Sequence, residues 1–224
     1  MRKAFWKTTI PSLLYLVLTL ACLIHWDASD PWSRVDIFSG GYLLLRLVGS
    51  VHSIVFNRKV FGSEETRREW WALTSDPGGI KWVVLLMAAD LAVFLDYGHW
   101  HLTPALERAS LQSLGLGLYV LAAAWQMWTD AYLASYFARE QPASGPIEKG
   151  PFRHVRHPRY AGAIAGKLAF ALVFASGFGW LLALAWALLL TRKVDIEEAH
   201  LRKLFGAEYE AYAQKTSRLL PGIY

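Results

Sequence analysis

The sequence predicts an all-α fold, a polytopic transmembrane bundle of about six spans in which the last two helices form a hairpin and a cytoplasmic helix follows. The first observation is composition, because 54% of the 224 residues are hydrophobic and 11 are Trp, which is more apolar than soluble domains average. The second is a series of apolar runs long enough for membrane helices. The third is length, which suits one membrane domain over residues 1–224.

The apolar runs define the spans in chain order. The first follows a basic start, and we interpret it as a transmembrane helix rather than a signal peptide. The stretch 160–192 is too long for one span and is interrupted near 176–179, so it predicts a helical hairpin. Residues 193–215 are polar with a helical pattern and predict the C-terminal cytoplasmic helix. The predicted spans are 9–26, 36–56, 81–97, 112–137, 160–175 and 179–192.

The distribution of positive charge predicts the orientation. With both termini cytoplasmic, every one of the 23 lysines and arginines lies on the cytoplasmic side except Arg34, Arg46, Arg108 and Lys167, as the positive-inside rule requires. The loops at 57–80 and 139–159 are then cytoplasmic. The net charge of +5 therefore reflects the membrane topology of the chain. It predicts the lipid bilayer, not nucleic acid, as the partner. We expect an integral protein of a bacterial inner membrane with its site facing the cytoplasm.

Several classes of site are excluded by residue types. Cys22 is the single cysteine, so an intrachain disulfide and a cysteine-based metal site are impossible. No Cys/His cluster has zinc spacing, so we predict no metal. No Gly-rich nucleotide loop follows a strand, which argues against a soluble doubly wound enzyme.

Four ionisable residues fall inside predicted spans, where charge is costly and normally paired or functional. Arg46 and Asp90 lie near mid-span, and Asp130 and Lys167 lie about two turns from the cytoplasmic face. Matching by depth predicts two structural pairs, Arg46 with Asp90 and Asp130 with Lys167. An alternative places Lys167 on the floor of a pocket, because it shares a helical face with Tyr160.

One polar stretch, residues 150–162, lies between two long apolar segments and is the centre of the predicted site. Gly150 and Pro151 indicate a turn. Pro158 suits the first turn of a helix, and His157 before it is pushed to an extended conformation. A basic loop that ends at a helix N-terminus favours an anion. The other interpretation is an ordinary cytoplasmic loop made basic by membrane topology.

The stretch resembles the signature of integral-membrane methyltransferases of the isoprenylcysteine carboxyl methyltransferase and phospholipid methyltransferase type. The resemblance covers about residues 145–224 and combines several separate pieces in one order. The matching residues are Gly150, Pro151, Phe152, Arg153, Arg156, His157, Pro158, Tyr160 and Gly162, then Glu197, Glu198, Phe205, Gly206, Tyr209, Tyr212, and Arg218-Leu219-Leu220-Pro221.

The resemblance implies that S-adenosylmethionine is the cofactor and that the signature and the glutamate pair form its pocket. By the chemistry of its groups, the carboxylate suits Arg153, Arg156 or the N–H groups near Pro158, and the ammonium and ribose suit carboxylates. Glu197 is predicted to face inward, whereas Glu198 has a surface pair with Arg202 as its alternative. We predict that Arg156 orients an anionic acceptor and that His154 is a weaker candidate base. The predicted cofactor-binding residues are Arg153, His157, Pro158, Tyr160, Glu197 and Glu198.

The resemblance implies a methyltransferase that acts on a lipophilic acceptor such as an isoprenylcysteine carboxylate. Phospholipid N-methylation and S-methylation of a small thiol remain alternatives, and an NADPH-dependent reductase of the sterol-reductase type and a non-enzymatic scaffold are more distant ones. Residues 1–140, the four N-terminal spans, are expected to shape the acceptor pocket but match nothing specific. The identity of the acceptor stays open at this point.

Overall fold

A computed structural model describes residues 14–24, 32, 35–60, 79–104, 107–139 and 145–222 of the chain. Within these ranges there are seven α-helices and no strand, so the all-α prediction is confirmed. A short π-helical turn at Asp96–Trp100 and a 3₁₀ turn at Gly150–Arg153 complete the helical elements. The α-helices are α1 (Leu14–Leu23), α2 (Ile37–Val60), α3 (Gly79–Leu95), α4 (Ala109–Arg139), α5 (Pro158–Val173), α6 (Gly177–Phe205) and α7 (Ala207–Lys215).

The six apolar runs correspond to helices α1 to α6, with one difference at the C-terminal end. The prediction divided residues 179–215 between a span and a separate polar helix, but α6 continues from Gly177 to Phe205. The change in hydropathy near 192 does not end the helix, because no Gly or Pro follows until Gly206, where the backbone turns at φ 54°. The first part of the predicted first span and most of the loop 57–80 lie outside the described residues.

By length and composition, one helix among the described residues is suited to crossing a membrane, namely α6. Helices α3 and α5 have 17 and 16 residues and each contains a charged side chain, Asp90 in α3 and Lys167 in α5. Helix α2 has 24 residues but includes Arg46 and His52. The ionisable residues inside these helices therefore lower their apolar character.

The core is an aromatic cluster where α2, α3 and α5 meet. Phe94 stands edge-on to Phe174 with ring centroids 4.9 Å apart, and Tyr42 stands edge-on to Phe174 at 5.1 Å. Such edge-to-face contacts add to the stabilisation that comes from burying the rings. Helix α5 also contacts α4 closely, because a Cβ on Gly162 would lie 2.6 Å from the Gln126 side chain. Helix α5 is therefore the central helix.

The hairpin between α5 and α6 turns slightly earlier than the sequence predicts. The chain turns at 174–176, with Ala175 at φ 47° and Ser176 before the first residue of α6. Ser176 donates a hydrogen bond to Asp96 (2.5 Å), and Thr103 donates to the Ala175 carbonyl (3.1 Å). The segment after α3 thus stabilises the turn between α5 and α6 through these two hydrogen bonds. No sequence pattern predicts them.

The ionisable residues inside the predicted spans pair differently from the prediction. Asp90 is bonded to Lys167, not to Arg46 as predicted. Asp130 is paired with Arg159 (3.0 Å) and lies 3.4 Å from His52, so its predicted pairing with Lys167 is wrong. Depth along a helix was an insufficient criterion, because the rotation of each helix decides which side chains meet.

Candidate functional site

The signature loop has the local structure that its glycine and prolines predict. Gly150 has φ 62°, and a Cβ there would lie 2.5 Å from the Tyr132 ring, so both conformation and space require glycine. The 3₁₀ turn follows, and α5 begins at Pro158, as predicted. The Pro158 carbonyl accepts a hydrogen bond from Trp125 Nε1 (2.8 Å), which fixes the start of α5 against α4.

The C-terminal segment runs alongside the signature loop. The Arg156 N–H donates to the Ser217 carbonyl (2.8 Å), and the His157 N–H donates to the Arg218 carbonyl (3.0 Å). The Tyr212 hydroxyl donates to the Phe152 carbonyl (2.7 Å). The break at Gly206 and the short helix α7 make this return possible. The two halves of the matching pattern, 60 residues apart at the Tyr212 contact, thus form one structure.

Glu198 is the centre of the site. Its side chain is 1% exposed, which contradicts the alternative of a surface residue paired only with Arg202. It accepts hydrogen bonds from four cationic or polar side chains on three segments of the chain. These are Arg156 Nε (3.0 Å), His157 Nε2 (3.2 Å), Arg202 Nη2 (3.1 Å), and Arg218 through Nε (3.1 Å) and Nη2 (3.2 Å).

The electrostatics of this cluster follow from its contacts. Burial alone would raise the pKa of Glu198, but hydrogen bonds from His157, Arg218 and Arg156 outweigh it and lower that pKa far below the usual value of 4.5. Burial alone would lower the pKa of His157, but the contact with Glu198 and the negative charges of Glu197 and Glu198 raise that pKa above 6.5. Glu198 is therefore a carboxylate at neutral pH.

Glu197 faces the same loop but makes fewer polar contacts than Glu198. Its side chain is 22% exposed, and His157 Nδ1 lies 3.7 Å from its Oε2 atom, which is longer than a hydrogen bond. That Oε2 atom is buried and has no hydrogen-bond partner among the described residues. The Tyr160 ring is stacked on the His157 ring, with the two centroids 5.8 Å apart. An acceptor atom beside an aromatic surface is thus left for another molecule.

Two predicted arginines have different surroundings. Arg156 donates from Nη1 to the carbonyls of Ala213 (2.7 Å) and Thr216, in addition to its bond to Glu198. Arg153 is exposed at the end of the 3₁₀ turn. His154 is exposed and lies near the rings of two tryptophans of α4. The assignment of Arg156 to the acceptor stays a prediction, while its described bonds join it to the C-terminal segment.

Two residues that build the candidate site have roles that were not predicted from the sequence. Arg218 belonged to the matching pattern, but its role as a partner of Glu198 and of Asp195 (2.5 Å) was not predicted. The contact of Trp125 in α4 with Pro158 could not be predicted from a sequence pattern, because the two residues are 33 positions apart in the chain. Within the described residues, no group of three or more His, Cys, Asp or Glu side chains could hold a metal ion.

Comparison with known proteins gives three similarities. A family model described as phospholipid methyltransferase matches residues 109–208, from α4 to the start of α7. A probable protein-S-isoprenylcysteine O-methyltransferase of rice, Oryza sativa subsp. indica, is 36% identical over 81 residues, which are 34% of this chain and 41% of the rice protein. These two similarities support a membrane methyltransferase family for this region of the chain.

A third similarity extends over more of the chain. Methanethiol S-methyltransferase 1 of Bradyrhizobium diazoefficiens is 25% identical over an alignment of 212 residues, which covers 87% of this chain and 70% of that protein. The match to the rice protein, in contrast, spans only about two fifths of that relative's length. The region matched by the family model contains His157, Tyr160, Glu197 and Glu198, so the geometry described above lies within it.

Proposed function

We propose that this protein is an S-adenosylmethionine-dependent methyltransferase that acts on an acceptor within the membrane. The observation that carries the proposal is the buried, unpartnered Oε2 atom of Glu197. It lies 3.7 Å from Nδ1 of His157, the residue before α5. A buried acceptor without a donor is costly, so a bound ammonium or hydroxyl group would stabilise it.

The residues present fit the groups of the cofactor. Glu197 would hold the ammonium or the ribose hydroxyls through its free carboxylate oxygen. Arg153, which is exposed, and the N–H groups of the first turn of α5 suit the carboxylate. Tyr160 offers an aromatic face for the adenine or the sulfonium. Glu198 has no such freedom, because its oxygens already accept bonds from Arg156, His157, Arg202 and Arg218.

The protein contributes mainly position and electrostatics. The cofactor supplies an activated methyl group on a sulfonium, and a carboxylate or thiolate acceptor attacks it without a general base. Glu198 holds His157 from one side and the C-terminal segment from the other. Arg156 ties the same segment to the loop through Ala213 and Thr216. We infer that these residues fix the shape of the pocket, while Glu197 and Tyr160 contact the cofactor.

The first candidate acceptor is a lipophilic carboxylate of the isoprenylcysteine type, because the rice relative that matches part of this chain carries that name. A second candidate, a small thiol, is favoured by a specific observation. The methanethiol S-methyltransferase match covers 87% of this chain, whereas the rice match covers 34%. Both candidates are ionised nucleophiles at the moment of attack.

We propose further that helices α1 to α6 cross the bilayer and that the signature loop faces the cytoplasm. Large apolar side chains are exposed along the outer faces of several helices, such as Leu44 in α2, Leu121 in α4 and Leu181 in α6, which are 62%, 66% and 65% exposed. Contiguous apolar surface of this kind is typical of contact with lipid. The positive charge of the loop at 145–159 agrees with the cytoplasmic side.

Substitution of Glu197 by Gln tests the cofactor assignment. Charge-assisted hydrogen bonds contribute about 1.5–3 kcal/mol, so affinity for S-adenosylhomocysteine should fall roughly 10- to 150-fold. Calorimetry on the purified protein in detergent measures it, with NADPH as a second ligand that should not bind. Glu210→Gln, a change of the same kind on an exposed residue of α7, is the matched control. Unchanged affinity in a folded Glu197→Gln protein would place the cofactor elsewhere.

A further inference from the structure

Tyr209 in α7 has a buried hydroxyl group that makes no hydrogen bond within the described part of the chain. The residue is 1% exposed, and its hydroxyl oxygen has no partner among the described residues. A hydroxyl carries one donor and two acceptor lone pairs, and leaving it unpaired away from water is costly and rare in native proteins. Tyr212, on the next turn of α7, has the usual arrangement, because its hydroxyl donates to the Phe152 carbonyl (2.7 Å). The Tyr209 hydroxyl is therefore available to a ligand.

Contacts from two sides place Tyr209 against the cluster around Glu198. The Arg202 guanidinium of α6 lies over the Tyr209 ring, 5.7 Å from its centroid. Ala213, one turn after Tyr209 on the same face of α7, accepts a hydrogen bond from Arg156 through its carbonyl (2.7 Å). Both arginines are also bonded to Glu198. The inner face of α7 thus packs against the residues that surround the glutamate pair.

The charges around the Tyr209 hydroxyl agree with this position. Burial raises the pKa of Tyr209 above its usual value of 10.0, and the negative charges of Glu198 and Glu197 raise that pKa further. The positive charges of Arg156 and Arg202 act in the opposite direction. Because interactions between charges weaken with distance, the hydroxyl lies in the region of the two glutamates. It keeps its proton at neutral pH and can donate it.

The two unsatisfied atoms in this region restrict the chemical group that they can hold together. Glu197 Oε2 is an acceptor, whereas the Tyr209 hydroxyl also has a proton to donate. The ammonium group of S-adenosylmethionine only donates, so it would leave the phenol proton unpaired. Its carboxylate only accepts and would be repelled by the glutamates. The ribose diol offers donors and acceptors on adjacent carbon atoms, and a carboxylate binds hydroxyl donors through charge-assisted bonds.

We propose that Tyr209 is a further cofactor-binding residue and that, together with Glu197, it holds the ribose diol of S-adenosylmethionine. The inference rests on the methyltransferase function proposed above. It adds a donor from α7 to the site and assigns Glu197 to the ribose instead of the ammonium. One ribose hydroxyl donates to the free Glu197 oxygen, and the other accepts from the Tyr209 hydroxyl. The C-terminal segment then contacts the cofactor directly, in addition to supporting the signature loop.

The experiment combines the variant Tyr209→Phe with ligands that lack one ribose hydroxyl. Calorimetry on the full chain in detergent measures the affinity for S-adenosylhomocysteine and for its 2′-deoxy and 3′-deoxy analogues. Loss of one neutral hydrogen bond should lower the affinity of Tyr209→Phe for S-adenosylhomocysteine about 2- to 12-fold. The same substitution should not change the affinity for the analogue that lacks the hydroxyl facing Tyr209. Removal of both partners of one bond has no further effect.

Thermal unfolding without ligand separates binding from a structural role. Tyr209→Phe removes a buried hydroxyl that has no partner among the described residues, so Tm should stay the same or rise. The matched control is Tyr212→Phe, which removes the hydroxyl bonded to the Phe152 carbonyl and should lower Tm. Any change in affinity in this control should be equal for the three ligands. A structural role of the Tyr209 hydroxyl would lower Tm in Tyr209→Phe as well.

The variant Glu197→Gln tests the other half of the assignment with the same three ligands. If Glu197 binds a ribose hydroxyl, the loss of affinity should be much smaller for the analogue that lacks that hydroxyl than for S-adenosylhomocysteine. An equal loss for all three ligands would mean that Glu197 holds the ammonium, and it would overturn the assignment to the ribose.

The wild type distinguishes failure of this inference from failure of the proposed function. If S-adenosylhomocysteine does not bind the wild type, both are wrong. If it binds the wild type and Tyr209→Phe equally well, only the inference about Tyr209 is wrong. An equal fall in affinity for S-adenosylhomocysteine and both analogues in Tyr209→Phe would place the hydroxyl against another part of the cofactor, such as the edge of the adenine, and would also overturn the inference.

Discussion

Replacement of Glu198 by Gln is the sharpest test of the structure of the site. The change keeps the shape of the side chain but removes the negative charge from a residue that is 1% exposed. Arg156, His157 and Arg218 would then surround a neutral amide. Breaking a buried ion pair by removing one partner costs about 3–5 kcal/mol.

The expected loss lies at the lower end of that range. Arg156 keeps the Ala213 and Thr216 carbonyls, and Arg218 keeps Asp195. We therefore expect a loss of about 3 kcal/mol in the free energy of unfolding, which lowers Tm by roughly 6–12 °C for a chain of this size. Thermal unfolding of the purified protein in detergent, followed by circular dichroism, measures it.

The matched control is Glu210→Gln. Glu210 pairs with Arg202 at 2.8 Å, but the two side chains are 52% and 43% exposed, and such surface pairs contribute about 0–1 kcal/mol. The Glu198 variant should therefore be clearly less stable than the Glu210 variant. Equal stability of the two would refute the assignment of Glu198 as the centre of the cluster.

The pH dependence gives a second readout of the same perturbation. The folded pKa of His157 is raised above 6.5, so its contribution to stability is present below about pH 6.5 and is lost as pH rises through the folded value. The folded pKa of Glu198 is lowered from 4.5, so its contribution is present above about pH 4.5 and is lost only in stronger acid. In Glu198→Gln, the decline of stability above pH 6.5 should be shallower, because His157 has lost one carboxylate partner.

Two further predictions concern packing and orientation. Gly162→Ala should destabilise the fold by about 1–3 kcal/mol, because its Cβ would lie 2.6 Å from the Gln126 side chain. The control Gly166→Ala, whose Cβ would meet nothing within 4 Å, should be neutral or stabilising in thermal unfolding. Equal effects of the two substitutions would contradict the close contact of α5 and α4. In a Cys22→Ala background, Lys149→Cys should resist an impermeant thiol reagent added outside sealed cells while Leu102→Cys reacts, and efficient external labelling at position 149 would contradict the six-span orientation.

Much of the fold could be predicted from the sequence, because the signals are local. Apolar runs located helices α2 to α5 and the first half of α6, and Pro158 with Gly150 located the start of α5 and the turn before it. The end of α6 could not be predicted from hydropathy, because a polar residue does not end a helix and only Gly206 does. The motif as a whole predicts the region of the candidate site, and that assignment stays a prediction.

The tertiary structure alone decided which charged side chains meet. Neighbouring residues on a helix point about 100° apart, so the sequence could not show that Glu198, rather than Glu197, is the more buried of the pair. Helix rotation also explains why Asp90 is paired with Lys167 and not with Arg46. Arg218 reaches Glu198 only because the chain reverses at Gly206 and returns along the signature loop. Local sequence sets where each helix begins and ends along the chain. Which side chains pair depends on how each helix is rotated and on how the C-terminal segment folds back onto the signature loop.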